Sequence, residues 1–213
     1  MRAPALRALA ALLLAAAPAA AQDRLAFGAP SGAGPYTVPI TLADVPGTPL
    51  GGDRPAGSRI QAFAVTVRFT PASAVTAATL ARAGLLSGRA PVFETTAAGP
   101  GTVTWVGAFD ESAGPLPFSQ PPTAAGDTVL ALTVALVPGA TGSASLEAFA
   151  TTLSNQAGTA GESVDDGSLL LGPPVSLPPG AEEGAPVPAA GTFALAGLAA
   201  AIAATGLRAV RAP

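Results

Sequence analysis

The sequence predicts an all-β protein, an antiparallel β-sandwich of the jelly-roll kind. Residues 60–69 and 129–137 alternate large apolar side chains with small or polar ones, which is the period of a half-buried strand. The 25 Gly and 23 Pro residues supply frequent turns, and no long amphipathic helix interrupts the short strands. Sheets with one apolar face are stable when two of them pack together, so a sandwich is expected.

Residues 60–69 form the clearest strand. Thr66 and Arg68 fall on the face opposite the apolar one, and Pro71 ends the strand because proline has no N–H for the ladder. The expected inward residues are Gln61, Phe63, Val65, Val67 and Phe69, and the residues expected to oppose them are Leu130, Leu132, Val134, Leu136, Val103 and Trp105.

Several weaker patterns complete the predicted sandwich. Residues 36–42 alternate as a strand, in which Pro39 indicates an edge position or a bulge. Segments 22–35 and 43–59 are predicted to be irregular, and 72–83 a short helix or loose turn. Further strands are expected at 92–96 and 102–109, which form a hairpin, and at 144–148 and 168–171.

Composition removes several kinds of chemistry. The chain has no Cys and no His, and its ten basic residues are all Arg. Disulfides, a thiolate nucleophile and imidazole ligands or bases are therefore excluded. A net charge of −3 does not favour nucleic acid as a partner, because phosphate binding depends on clustered positive charge.

The N-terminus is predicted to be a secretory signal peptide over residues 1–21. Two early arginines precede an apolar centre that is too short to cross a bilayer comfortably. Ala19 and Ala21 are the small residues of an A-x-A-type site, with cleavage before Gln22. The folded domain is therefore expected over residues 22–172.

The C-terminus is predicted to anchor the protein. Residues 173–188 are rich in Pro, Gly and Glu and read as a solvated spacer. Within 189–213, an uncharged apolar stretch of roughly membrane-spanning length precedes Arg208 and Arg211. Arginines on that side predict that the C-terminal end stays cytoplasmic and the domain lies outside.

No catalytic group stands out, and we expect a protein that is not an enzyme. The adjacent acid pairs Asp110–Glu111, Asp165–Asp166 and Glu182–Glu183 make poor dyads, because neighbours on an extended chain point to opposite sides. No serine has a histidine or lysine to activate it. All three pairs are typical of solvated loops.

No cofactor is expected, although calcium is the least weak metal hypothesis. Its candidate ligands share one Gly-rich loop, and calcium accepts several oxygen ligands. The competing interpretation is ordinary turn chemistry, because Asp-Asp-Gly commonly precedes a strand. The candidate ligands are Asn155, Glu162, Asp165 and Asp166.

Two aromatic residues are candidates for stacking on a sugar ring. Trp105 is the single tryptophan of the chain, and Tyr36 begins a predicted strand. For Trp105 the more ordinary interpretation is a core residue, with an exposed stacking platform as the alternative.

The tail resembles a known class of sorting signals. Residues 185–191, APVPAAG, precede the apolar stretch and the terminal arginines. This layout is similar to the PEP-CTERM class, in the variants that begin with Val-Pro, here Val187 and Pro188. The resemblance implies delivery to an exosortase-type membrane enzyme and placement at the cell surface. Val187-Pro188-Ala189 stands where the commonest form has Pro-Glu-Pro.

The folded part looks like a cohesin-type domain of the carbohydrate-binding-module-like sandwich group. The matching segments, in order, are YTVPITLADVPG, IQAFAVTVRFTPA, ARAGLL, GTVTWVGAF, GDTVLALTVALVPGATG and VDDGSLLLG. Thr70 stands where an aspartate is usual before the proline, so the resemblance concerns the fold more than a particular binding surface. It implies an exported adhesion or scaffold module, bound to protein or polysaccharide at the envelope. The alternative is a carbohydrate-binding protein that uses exposed aromatics.

Overall fold

The computed structural model describes residues 21–181, and these form two stacked β-sheets. Most of the predicted signal peptide and tail, residues 1–20 and 182–213, lie outside the described range. No α-helix occurs within residues 21–181, where four single-turn 3-10 helices are the helical elements. The strands are β1 (Asp23–Phe27), β2 (Tyr36–Ala43), β3 (Ala62–Thr70), β4 (Val75–Arg82), β5 (Pro91–Gly99), β6 (Thr102–Phe109), β7 (Asp127–Leu136), β8 (Gly142–Leu146), β9 (Thr152–Ser154), β10 (Gly161–Ser163), β11 (Leu169–Leu171) and β12 (Val175–Leu177).

The sandwich has a five-stranded and a seven-stranded sheet. The first has the order β11-β1-β2-β7-β4, and the second runs β10-β9-β3-β6-β5 with β8 and β12 attached beside β3. All pairs are antiparallel except β1 with β11, which is parallel. The predicted β-sandwich is therefore confirmed, with one parallel pair at an edge.

The core lies between the two sheets and follows the predicted alternation. The inward side chains of β3 and β7 are buried, as expected for strands that share one hydrophobic layer. Val103 and Trp105 depart from the prediction, because β6 lies beside β3 in the same sheet and pairs Val103 with Val67 and Trp105 with Val65. They flank β3 instead of opposing it, since an alternating pattern identifies the buried face of a strand but not its sheet.

Pro39 occupies an interior strand, which the edge prediction did not expect. β2 lies between β1 and β7, with a register shift between Ile40 and Thr41 on the β7 side. The Pro39 carbonyl accepts from the Gly28 amide at 2.8 Å, just beyond the end of β1. In an antiparallel strand the N–H and C=O of one residue point to the same side. The Pro39 C=O points to Gly28, which follows the end of β1, so the N–H that proline lacks would also have pointed beyond the end of β1.

Two further strands replace segments predicted to be irregular or helical. β1 lies within 22–35, and β4 lies where a short helix or loose turn was expected. β4 is an edge strand with one fully buried side chain, Leu80. An alanine-rich strand that buries so little does not show the alternation by which strands are recognised.

The sandwich continues beyond the predicted end of the folded domain. β12 lies in the segment expected to be a solvated spacer, and it pairs with β8. Leu177 of β12 is buried, and the Tyr36 hydroxyl donates to the Pro179 carbonyl at 2.6 Å. β10 lies within the Gly-rich loop predicted around residues 155–166, and β9 directly precedes that loop. Within residues 21–181, no helix is long and apolar enough to cross a membrane.

Candidate functional site

The outward surface of the seven-stranded sheet is the candidate binding site, and we call it the outer face. Residues that are paired across neighbouring strands point to the same side of the sheet, and we call such a set of paired residues a row. Because Val65, Val67 and their partners point into the core, the alternate rows point outward. The outward residues of β3, β5 and β6 are Ala62, Ala64, Thr66, Arg68, Thr70, Phe93, Thr95, Ala97, Gly99, Thr102, Thr104, Val106 and Ala108.

The outer face is nearly uncharged, and Thr66 near its centre is buried. Its central rows carry Ala, Thr and Val, and the Thr66 and Thr104 hydroxyls share a hydrogen bond of 2.8 Å across β3 and β6. Among the outward residues of β3, β5 and β6, Arg68 carries the charge, and its guanidinium pairs with the Glu147 carboxylate. Such a surface presents little desolvation cost to a partner.

Large apolar side chains are exposed beside the outer face. Phe93 on the edge strand β5 is 54% exposed and Val92 is 58% exposed. Phe149, in the turn that joins β8 to β9, is 84% exposed. Large apolar side chains that stay this exposed among the described residues are typical of a surface that another molecule covers.

The two predicted stacking residues are buried. Trp105 is fully buried, its indole N–H donates to Glu94 Oε1 at 2.9 Å, and its ring lies 6.4 Å from that of Phe63. Tyr36 is 4% exposed. Neither ring presents a face to solvent, so the structure contradicts the stacking role for both and agrees with the core interpretation of Trp105.

The predicted acid pairs make turn-type contacts. Asp110 Oδ1 accepts from the Ser112 amide at 2.8 Å, and Glu111 Oε1 accepts from the Gly57 amide at 2.8 Å. Asp166 accepts from the Ser168 amide at 2.9 Å. Asp110 and Asp166 therefore cap their own turns, whereas Glu111 bonds to a separate loop. Asp165 is exposed, and Glu182–Glu183 lies outside the described residues.

The four candidate calcium ligands do not converge on one site. Asn155 Oδ1 accepts from the Thr159 amide at 2.9 Å, Asp166 caps its own turn, and Asp165 is exposed. Glu162 is buried and accepts from the Leu50 amide at 2.9 Å. Over residues 21–181, no three acidic, His or Cys side chains are arranged to hold a metal ion.

Glu162 belongs to a cluster of buried acids that the sequence did not reveal. Asp23 and Asp44 are fully buried, and Glu162 is 1% exposed. Asp23, Asp44 and Glu162 lie close enough together for the Glu162 and Asp44 charges to act on Asp23, and for the Asp44 charge to act on Glu162. One oxygen of each carboxyl group is buried without a partner: Asp23 Oδ2, Asp44 Oδ1 and Glu162 Oε2.

The acid cluster favours protonated carboxyl groups. Burial is the main reason that the pKa of Asp23 is raised to about 9, and the neighbouring Glu162 and Asp44 charges raise it further. The hydrogen bond from the Val45 amide acts in the opposite direction and lowers this pKa. Burial also raises the pKa values of Glu162 and Asp44. No pattern in the sequence marks Asp23 or Asp44, because isolated acids near turns are ordinarily solvated.

The predicted processing positions lie at or beyond the ends of the described range. Ala21 and Gln22 are the first two described residues, and Gln22 Nε2 donates to the Gly167 carbonyl at 2.5 Å. Ala19 lies outside the range, as do the sorting residues Val187, Pro188, Arg208 and Arg211.

The fold is that of a cohesin-like β-sandwich. The third cohesin of ScaC from Acetivibrio cellulolyticus, solved in complex with the ScaB dockerin, matches with a TM-score of 0.50 and 18% identity, covering 75% of this chain and all of that one. CaCohA2 from Clostridium acetobutylicum also matches, with a TM-score of 0.50, 12% identity, and coverage of 78% and 94%. No family model and no curated protein sequence matches the chain.

Proposed function

We propose that this protein is an exported, non-enzymatic binding module that recognises a protein partner through the outer face. The observation that carries the proposal is the combination of a nearly uncharged sheet surface with Phe93 exposed at its edge. A rigid sheet holds its side chains in place before binding, so little conformational entropy is lost when a partner docks. The ScaC cohesin, which shares the fold, was itself solved in complex with a protein, the ScaB dockerin.

A protein partner fits the outer face better than a polysaccharide does. Sugar rings commonly stack on tryptophan or tyrosine, and Trp105 and Tyr36, the two residues predicted to do so, are both buried. The exposed aromatics beside the face, Phe93 and Phe149, are phenylalanines that carry no polar group. The Ala, Thr and Val rows of β3 and β6 offer shallow apolar contact over several strands. That kind of contact suits a helix or a sheet of another protein.

Delivery and anchoring form the second part of the proposal. A signal peptide over 1–21 exports the chain, and the tail over 189–213, with Val187 and Pro188 ahead of it, holds it at the envelope or passes it to an exosortase-type enzyme. The sandwich then lies outside the cytoplasm. Fractionating cells with and without residues 185–213 tests this, since release into the medium only on truncation supports anchoring and an unchanged distribution contradicts it.

Site-specific photocrosslinking tests the binding face. Thr95 and Thr79 are matched positions: each is a threonine on an edge strand and points outward from its sheet, Thr95 from the seven-stranded and Thr79 from the five-stranded one. A photoreactive residue at 95 is expected to capture a defined protein in native envelopes, and one at 79 is not. Equal capture at both positions, or capture only at 79, contradicts the assignment of the face.

A further inference from the structure

We propose that Asp23 and Glu162 form a clasp that holds the two sheets together at one edge through a shared proton, and that the clasp opens at alkaline pH. Asp23 begins β1 of the five-stranded sheet, and Glu162 is the central residue of β10, the edge strand of the seven-stranded sheet. The two side chains therefore connect the layers directly, away from the outer face.

The hydrogen bonds of the pair leave room for one proton. Asp23 Oδ1 accepts from the Val45 amide at 2.7 Å, and Glu162 Oε1 accepts from the Leu50 amide at 2.9 Å. The remaining oxygens, Asp23 Oδ2 and Glu162 Oε2, are buried with no other partner. Two neighbouring buried carboxyl groups are most stable when they share a proton, and a single shared proton would give both unpartnered oxygens a partner.

The clasp also fixes the loop between β2 and β3. Its two amide donors, Val45 and Leu50, both belong to that loop. The Asp23 amide donates to the Ser168 carbonyl at 3.0 Å, which joins the start of β1 to the start of β11. Loss of the proton would therefore loosen the start of β1, strand β10 and the 45–50 loop together.

The largest charge effects on the pair come from other acids. The charges that act on it from the neighbouring segments are those of Asp44, which follows β2, and Asp166, which follows β10. Beyond Asp44 lie Asp53 and Asp127, which act on it in turn. Arg54, in the same loop, directs its Nε to the Thr48 carbonyl at 2.6 Å and lies 3.9 Å from Asp53. All of these acids favour retention of the proton.

A metal ion accounts for the pair less well than a proton. A calcium ion needs six or more oxygens, whereas the described residues offer no set of three acidic side chains arranged for a metal. Asp44, the third buried acid, accepts at Oδ2 from the Gly52 amide at 2.7 Å and from Gln120 Nε2 at 2.5 Å. Its contacts belong to the loop and not to the clasp.

The direction of the pH effect follows from the raised pKa of Asp23. The folded state keeps a proton that the unfolded chain loses near pH 4, so folding takes up a proton between about pH 4 and about 9. Stability from the clasp is fully present below about pH 4, declines through this window, and is lost above the folded pKa. If folding takes up one proton in this window, the equilibrium constant for unfolding increases about tenfold for each unit by which the pH rises.

The test is denaturant unfolding of the full chain at a series of pH values from about 5 to about 9.5, the window in which the proton is released, with the variants Glu162→Gln and Asp165→Asn. A glutamine amide can donate to Asp23 as the proton does, but it neither titrates nor carries a charge. Glu162→Gln is therefore expected to reduce the alkaline loss, while the part that comes from burial of Asp23 remains. Asp165 is an exposed acid close by in the chain, and its variant is expected to keep the wild-type pH dependence. A parallel series with added calcium or with a chelator is expected to show the same pH dependence as the wild-type protein without either addition.

Three results would overturn the clasp. One is an unfolding constant that does not rise with pH in the wild type, and another is a Glu162→Gln variant with the wild-type slope. The third is a calcium-dependent rise in stability that abolishes the slope, which would identify a cation site. If Glu162→Gln does not fold, NMR titration of the wild-type side-chain carboxyls decides, since ordinary midpoints near pH 4 for both Asp23 and Glu162 contradict the proposal.

Discussion

Gly84 lies directly against Thr128, where the chain turns from β4 toward β5 beside the start of β7. A Cβ on Gly84 would collide with the Thr128 carbonyl oxygen and lie 2.8 Å from the Thr128 Cβ. The Gly84 φ of +48° is also in the left-handed region of backbone conformations, which residues other than glycine rarely adopt. Both constraints apply at one residue, so this glycine is required by the packing of the turn.

Gly84→Ala is therefore expected to destabilise the protein by about 1–3 kcal/mol from backbone strain alone. Gly88→Ala is the matched control, because a Cβ at Gly88 would have no atom within 4 Å and its φ is not in the left-handed region. Chemical denaturation of both variants measures the difference. Equal stabilities would show that the contact with Thr128 does not constrain the fold.

Val67→Asp is expected to abolish folding. Val67 is fully buried and lies between Val103 of β6 and Leu146 of β8. An unpaired carboxylate at this position costs several kcal/mol, against a typical folding stability of about 5–15 kcal/mol. Circular dichroism melts are the measurement, with Thr95→Asp on the exposed strand β5 as the control. A cooperative melt at the wild-type temperature for Val67→Asp would mean that the inward face is wrongly assigned.

Trp105 is expected to give blue-shifted emission that polysaccharides do not alter. The indole is fully buried and its N–H is bonded to Glu94, so neither solvent nor a sugar reaches the ring. Fluorescence titration with a panel of polysaccharides measures this, and unfolded protein provides the red-shifted reference. Quenching of the folded protein by one polysaccharide would revive the carbohydrate-binding alternative.

Asp166→Ala is expected to lower the melting temperature at neutral pH and to have less effect in acid. Burial raises the pKa of Asp166, but hydrogen bonds from Ser168 and Ser163 outweigh this and lower it. A lowered folded pKa contributes stability above about pH 4, the unfolded value, and that contribution is lost as the pH falls through the folded value. Thermal melts near pH 7 and at about pH 3, which is below the unfolded value of about 4, test it, with Asp165→Ala as control. A loss of equal size at both pH values would contradict a role for the ionised carboxylate.

The sequence was most informative where alternation is strong. The inward residues of β3 and β7 were predicted because a half-buried strand repeats every two residues. β4 and β12 escaped prediction for the opposite reason, since they bury one large side chain each, Leu80 and Leu177. Such strands are held in place by partner strands that lie far away in the sequence. The residue pattern within the strand itself does not reveal those partners.

The candidate sites were harder to predict than the fold. Phe93 would be expected in a core on composition alone, and its exposure follows from the position of β5 at the sheet edge. The contact of Asp23 with Glu162 joins residues that are distant in sequence, and it depends on how the sheets stack. In both cases tertiary arrangement decides the chemistry of residues that look ordinary in the sequence.

The most direct test of the proposed function compares Phe93→Ser with Leu170→Ser in binding. Each residue is a large apolar side chain, 54% and 48% exposed respectively, but Leu170 lies on β11 in the other sheet. Full-length protein carrying either change is used to recover the crosslinked partner from native envelopes, and bound partner is quantified against wild type. We expect Phe93→Ser to lose most of the bound partner while Leu170→Ser keeps it. Undiminished recovery with Phe93→Ser, or equal loss with both variants, would contradict recognition through the outer face.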